Sequence, residues 1–426
     1  MDVAATSRLD ERLLLEDLVS WAFAPSSRAP HVGLEVEMFV ARDNVVASVP
    51  ELLAAIEPLV AHGELVDATL PNCPPCFQYG NICLTFEPGG QVEVVSPPRP
   101  ALADALEDIA KLEFLLDRLF LWHGLHRVNV GINPWQEATD IPLQTPLPRY
   151  EAMQDYFSRI GPEGLRMMRV CCALQINVDT GRPSEVGRRW ELANLMAPIL
   201  TGMFANSPLA GGRWTGWKST RARVWRGVDR SRTGSVLGDD GPADYLEFAL
   251  NAGVLLRRTP GGYVTGTPGL RFRDWLEEPD GSGPTLDDWR YHLTTLFPHV
   301  RPRGFLELRG IDTPPLRWRA VPVAVASTLL IDDAACSEAI ALLRPFSSKF
   351  DELGLASARN GLAHPTIAYL ARTLMELARA ALPRQTPDWC SAKIARDVEA
   401  FQYLYTSQRR CPADDLLESQ AWGHPA

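Results

Sequence analysis

Three segments of this chain place charged or amide side chains at alternate positions among apolar residues: Gly33-Leu-Glu35-Val-Glu37-Met-Phe39, Glu87-Pro-Gly-Gly-Gln91-Val-Glu93-Val-Val95 and Phe305-Leu-Glu307-Leu-Arg309. Side chains of a strand alternate between its faces. Glu35 and Glu37 therefore point the same way, roughly 6–7 Å apart along the strand, while Leu34, Val36 and Met38 point the other way. Glu307 and Arg309 share a face by the same argument, as do Gln91 and Glu93. Leu174-Gln175-Ile-Asn177-Val-Asp179 adds a strand with Gln175, Asn177 and Asp179 on one side. The chain is thus constrained to a sheet on which several strands each bring acids or amides to one side.

Acids held against an apolar layer repel one another and lose hydration. A divalent cation removes both costs. Each segment also has a plainer reading when taken singly. The Glu35 strand could be half exposed with solvated acids, the Glu87–Glu93 segment an ordinary hairpin, and Glu307 and Arg309 a salt-bridged pair. Taken together, oxygen donors without a histidine cluster suit magnesium, which usually bridges nucleotide phosphates. The sequence has no G-x-x-x-x-G-K-[ST] loop and no G-x-G-x-x-G after a strand. Metal and arginines would then have to hold the phosphates. Arg309 is one candidate, since a planar guanidinium grips a phosphate or carboxylate bidentately. The loop Thr215-Gly-Trp217-Lys218-Ser219-Thr220-Arg221-Ala-Arg223 supplies Lys218, Thr220, Arg221 and Arg223 as further candidates, against the alternative of a solvated basic loop. Arg301 and Arg303, either side of Pro302, could grip anions similarly, but they are read first as a turn before the Phe305 strand.

The rest of the chain frames this sheet. Helices are predicted over 8–24, 51–62, 102–123, 153–168 and 190–204, with strands over 31–40 and 170–179. Residues 81–95 form two strands joined at Pro88-Gly89-Gly90. Residues 206–220 and 260–283 read as loops, 245–254 as either helix or strand, and 320 to the C-terminus as mostly helical with breaks at Pro345, Pro365, Pro383 and Pro387. The apolar run Ala320–Ile331 falls short of the roughly 20 residues that span a bilayer and reads as a buried helix. Of the 426 residues, 46% are hydrophobic and 22% charged, ordinary for a globular protein, and the formal net charge is −10. An acidic chain gains nothing from nucleic acid or an anionic membrane, so neither partner is expected. The charged N-terminus is not a secretory signal. A cytoplasmic, reducing location is expected, with most of the eight cysteines as free thiols. Cys73-Pro-Pro-Cys76 has C-x-x-C spacing without the second pair that a zinc site usually needs, so it reads as structural or incidental, with a redox pair as the alternative. No linker is evident, so one domain is expected: a core over 1–320 and a helical C-terminal part over 321–426.

Five stretches in order carry a resemblance: Gly33–Glu37, Glu87–Glu93, Gln175–Asp179, Ala205–Pro208 with Thr215–Arg221, and Tyr291–Pro298 with Arg301–Arg309. The chain resembles the glutamate–cysteine ligase family of the plant and actinobacterial type, most nearly its ergothioneine-pathway members. The resemblance implies an α+β, glutamine-synthetase-like fold whose curved antiparallel sheet, flanked by helices, forms a funnel for ATP and Mg²⁺. It implies phosphorylation of the γ-carboxylate of glutamate and attack by the amine of cysteine. By position, Glu35, Glu37, Glu87, Glu93 and Glu307 would be magnesium ligands, with Gln175 beside them. Arg221 and Arg309 would hold the substrate carboxylate or the transferring phosphate. Val94-Val95-Ser96-Pro97 and Val170-Cys171-Cys172-Ala173 depart from the family pattern, which leaves the amine open. A sister ligase acting on another amine, and a metal- or nucleotide-binding regulator without catalysis, stand as alternatives.

Overall fold

Alternation decides the faces, and pairing decides which acids meet. The computed structural model describes residues 9–26, 29–259, 262–278, 283–385 and 389–419. Its main sheet runs Val300–Pro302, Phe305–Asp312, Ala173–Asp179, Val32–Arg42, Val92–Val95, Ile82–Phe86, Cys76–Tyr79 and Val66–Asp67. Every neighbouring pair is antiparallel. Val45–Val46 and His126–Val128 pair with the far end of the central strand.

One face of the sheet presents Leu34, Val36, Val94, Leu84, Ile176 and Leu306, none of which reaches solvent. Helices Leu102–Trp122, Pro183–Met203 and Ala320–Ile331 pack under that face. Leu329, Leu370 and Phe401, from the C-terminal helices, belong to the same continuous core as Leu34. Burial of such area at about 25 cal/mol per Å² is what holds the helical part to the sheet. No single described helix is long and apolar enough to cross a membrane.

Several elements differ from the sequence expectation. The 153–168 helix is two helices, Pro148–Ser158 and Glu163–Val170. The break falls at Gly161-Pro162, where the proline ring disfavours helical backbone in the residue before it. The helix expected from residue 190 begins at Pro183, the ambiguous 245–254 segment is the helix Gly241–Asn251, and the 260–283 loop contains the strand Gly262–Thr265 and the helix Phe272–Leu276. Arg301 is not in a turn. It lies in the strand Val300–Pro302, directly opposite Glu307. Arg8, at the start of the first expected helix, and Pro387 lie outside the described residues.

Candidate active site

The polar face of the sheet is built by register. Glu37 sits opposite Glu93, Glu35 opposite Gln175, and Glu307 opposite Asn177. Directly opposed like charges destabilise a sheet, so the Glu37–Glu93 pair is costly where it stands. Backbone and amide donors hold these acids in place. Glu37 accepts from the Ala173 N–H at 2.7 Å and from Gln175 Nε2 at 3.0 Å, and Glu35 accepts from Asn177 Nδ2 at 2.8 Å. Glu87 enters from the turn before Val92–Val95. Gly89 in that turn packs so closely that a Cβ there would lie 2.1 Å from the Arg169 carbonyl oxygen. Gln91 fixes the turn by accepting from the Gly89 N–H at 2.9 Å and donating to the Cys171 carbonyl at 3.0 Å.

Glu35, Glu37, Glu87, Glu93, Gln175, Arg221 and Arg309 line one cavity of about 360 Å³. Burial raises the Glu35 carboxyl, with Glu307 adding repulsion, and burial likewise raises that of Glu37. Burial and then Glu37 push Glu87 up to about 7, and Glu93 is raised well above its ordinary value by burial and then by Glu87. Four acids in one cavity are thus under-neutralised by the protein itself.

Glu307 is different. It is fully buried beneath the cavity, with Arg301 donating to both its oxygens at 2.5 and 3.0 Å and Arg309 donating at 2.5 Å. Burial works against its charge, but Arg301 and Arg309 overcome it and hold the carboxyl down at about 2. Arg309 also donates to Gln175 Oε1 at 2.6 Å. Arg221 lies in the first turn of the helix Thr220–Val228 and donates to the Arg309 carbonyl at 2.8 Å. Both guanidiniums lie near the Trp225 ring, at 5.3 and 5.7 Å from its centroid, a favourable cation–π geometry. The helix is set by buried Asp312, which accepts from Asn206 N–H, Ser207 Oγ and Ser219 Oγ at 2.9, 2.6 and 2.9 Å. The Nε atoms of Arg221, Arg309 and Arg149 and Nε1 of Trp225 are buried without a protein partner. Those donors suit an anionic ligand.

Lys218, Thr220 and Arg223 stand apart from this cavity. Lys218 Nζ meets Asp414 at 2.6 Å, Thr220 Oγ1 meets Thr215 Oγ1 at 2.6 Å, and Arg223 pairs with Glu163 at 3.1 Å. The expected basic loop is a capped helix start whose side chains diverge, so the structure does not bring these three together with Arg221. Sequence reasoning passed over the lining residues Trp21, Arg149, Tyr150, Trp225 and Tyr245, and set Arg301 and Arg303 aside as a turn. Only Arg301 had a local signal, since Gly304 at φ 75° makes Arg303-Gly304 a tight connection that returns Arg301 to Glu307.

An acid-lined face opposed by arginines, on a one-sided antiparallel sheet, suits the anionic groups that a carboxylate-activating ligase must bring together. Known proteins agree. The model of glutamate–cysteine ligase family 2 matches residues 31–425, and the chain belongs to that family. The glutamate–cysteine ligase EgtA of Mycobacterium tuberculosis is 34% identical over 352 residues, covering 80% of this chain and 77% of that protein. EgtA of Mycolicibacterium smegmatis is 34% identical over 361 residues, covering 83% and 81%. The chloroplastic glutamate–cysteine ligase of Medicago truncatula is 31% identical over 326 residues, covering 72% and 63%. The crystal structure of glutamate–cysteine ligase from Francisella tularensis in complex with AMP aligns with a TM-score of 0.56 at 12% identity, over 92% of this chain and 85% of that one. The fold is the glutamine-synthetase-like one.

Proposed function

We propose that the protein joins glutamate to cysteine, using ATP to convert the γ-carboxylate into an acyl phosphate that the cysteine amine then attacks. The observation that carries this reading is the cavity itself: four acids raised by burial and mutual repulsion, facing two arginines with buried, unpartnered Nε donors. Such a site suits a substrate that is anionic at both reacting ends and arrives with cations.

The donor set fits magnesium in chemistry. All candidate ligands are carboxylate or amide oxygens: Glu35, Glu37, Glu87 and Glu93, with Gln175 beside them. Among the described residues no three acids, histidines or cysteines form a ready cage, so substrate phosphates would have to complete the coordination of a metal held by one or two carboxylates. Bound there, magnesium would neutralise charge on the transferring phosphoryl group. Arg309, buttressed by Glu307 and Gln175, and Arg221, braced by the Arg309 carbonyl, would hold phosphoryl or carboxylate oxygens in a low-dielectric site. Glu307 is better suited to fixing Arg301 and Arg309 than to meeting metal, because those arginines already occupy both its oxygens. The soft wall of Met153, Met167, Met168 and Phe297 suits a thiol-bearing amine.

Phosphate release is measured with ATP, Mg²⁺, glutamate and one candidate amine at a time. Release is expected with cysteine, together with γ-glutamylcysteine in the product. Release with a different amine and none with cysteine would sink the substrate assignment.

A further inference from the structure

The cysteine-rich segment 72–83 takes no part in the ligation above. Spacing singles out Cys73 and Cys76, but the structure brings a different pair together. Cys76 lies on the strand Cys76–Tyr79 opposite Thr85, and Cys83 on Ile82–Phe86 opposite Gln78. They are diagonal neighbours across one hairpin. Their sulfurs are 3.0 Å apart, closer than unbonded sulfurs rest and about 1 Å from the disulfide length of about 2.05 Å. Both side chains are partly exposed, while Cys171, Cys172, Cys336 and Cys411 are buried.

The hairpin also sets the character of a bond formed there. Diagonal neighbours normally have Cα atoms about 7–8 Å apart, whereas a disulfide usually spans about 4.4–6.8 Å. A bond across such a diagonal would pull on both strands, and accessible disulfides of this kind are the readily reduced ones. Ile82–Phe86 pairs next with Val92–Val95, with Thr85 opposite Glu93. Cys83 therefore shares the face of Glu93, and the pull is delivered one strand away from that carboxylate.

We propose that Cys76 and Cys83 form a reversible disulfide, with a low-molecular-weight disulfide as oxidant, which couples the surrounding thiol–disulfide state to the acidic face of the sheet. The thiolate of Cys76 attacks the small disulfide, forming a mixed disulfide and expelling one small thiol. The thiolate of Cys83 then attacks Sγ of Cys76, forming the protein disulfide and expelling the second small thiol. Two protein thiols are oxidised, the small disulfide is reduced to two thiols, and the two protons lost by the protein end on the leaving thiolates. The order follows because burial, and then the hydrogen bond with Cys76, push the Cys83 thiol up to about 12, which suits it poorly to the first attack. The bond stands independently of the ligase reading; only its effect on turnover rests on that reading.

The test uses reduced full-length protein incubated with oxidised glutathione, quenched in acid, alkylated, digested and mapped by mass spectrometry. The expected result is loss of two alkylatable thiols, a Cys76–Cys83 link and full reversal by dithiothreitol. Cys83→Ser should stop at a glutathione adduct on Cys76. Turnover of the linked protein should differ from that of the reduced protein, and Cys76→Ser should lose this response. A Cys73–Cys76 link, or an adduct on Cys73 beside fully alkylated Cys76 and Cys83, overturns the assignment. Equal turnover of linked and reduced protein overturns the coupling to the acidic face. If glutamate and cysteine give no turnover at all, the mapping still reads the bond.

Discussion

Replacing Glu87 by glutamine is expected to stabilise the ligand-free protein while stopping its reaction. Burial, and then repulsion from Glu37, raise the Glu87 carboxyl from 4.5 to about 7. The folded protein therefore binds this proton more tightly than the unfolded chain does. Its contribution to stability is fully present below 4.5 and is lost as pH rises through 7. Ionising the group in the folded state then costs about 3 kcal/mol, at about 1.4 kcal/mol per tenfold change in proton affinity. Gln has nearly the shape of the protonated acid and cannot ionise. Urea unfolding in the presence of a chelator should show the variant and parent within about 0.5 kcal/mol at pH 4.5, and the variant about 2–3 kcal/mol more stable at pH 8.5. Adding Mg²⁺ and ATP should stabilise the parent more than the variant, because only the parent retains the full acid set. A variant no more stable than the parent at pH 8.5, or equally stabilised at both pH values, would refute the claim that burial and like charge set the proton affinity of Glu87.

Glu307→Gln should act in the opposite direction. It leaves the buried Arg301 and Arg309 uncompensated and should cost about 3–5 kcal/mol in urea unfolding at pH 7. That difference should shrink as pH falls below 4.5 toward 2, where Glu307 itself is protonated. Arg221→Lys or Arg309→Lys keeps the charge but loses the planar fork, and each should lower kcat by roughly 10²–10³-fold in steady-state assays. A fall confined to KM would show that the arginine binds substrate without favouring the transition state. Lys218→Met and Arg223→Gln should leave KM for ATP close to that of the parent, because their partners are Asp414 and Glu163. A large rise in that KM would bring the helix start back into the nucleotide site.

The contrast between these variants marks where sequence reasoning reaches and where it stops. A period of two is a local property, so the shared face of Glu35 and Glu37 is legible in seven residues. The partner of Glu37 is not local. Glu93 lies opposite it only because Val92–Val95 pairs with Val32–Arg42 in one register, and a slip of a single residue would turn the acid to the apolar side. The same limit explains the basic loop. Counting charges over 215–223 groups Lys218, Arg221 and Arg223, but Ser219 caps a helix by accepting from the Ala222 N–H, and from there the period is 3.6. Positions 221 and 225 then share a side, and Arg221 stacks on Trp225, while 223 points away to Glu163. Glu307 shows the third case. Its immediate neighbours match those of Glu35, an acid between apolar residues on a strand, although Arg309 stands two positions on where Glu35 has Glu37. Yet one acid is held down at about 2 and the other is raised. The difference comes from Arg301 across a tight turn and then from Arg309 on the same strand, so two glutamates with alike immediate neighbours carry opposite electrostatic consequences in the fold.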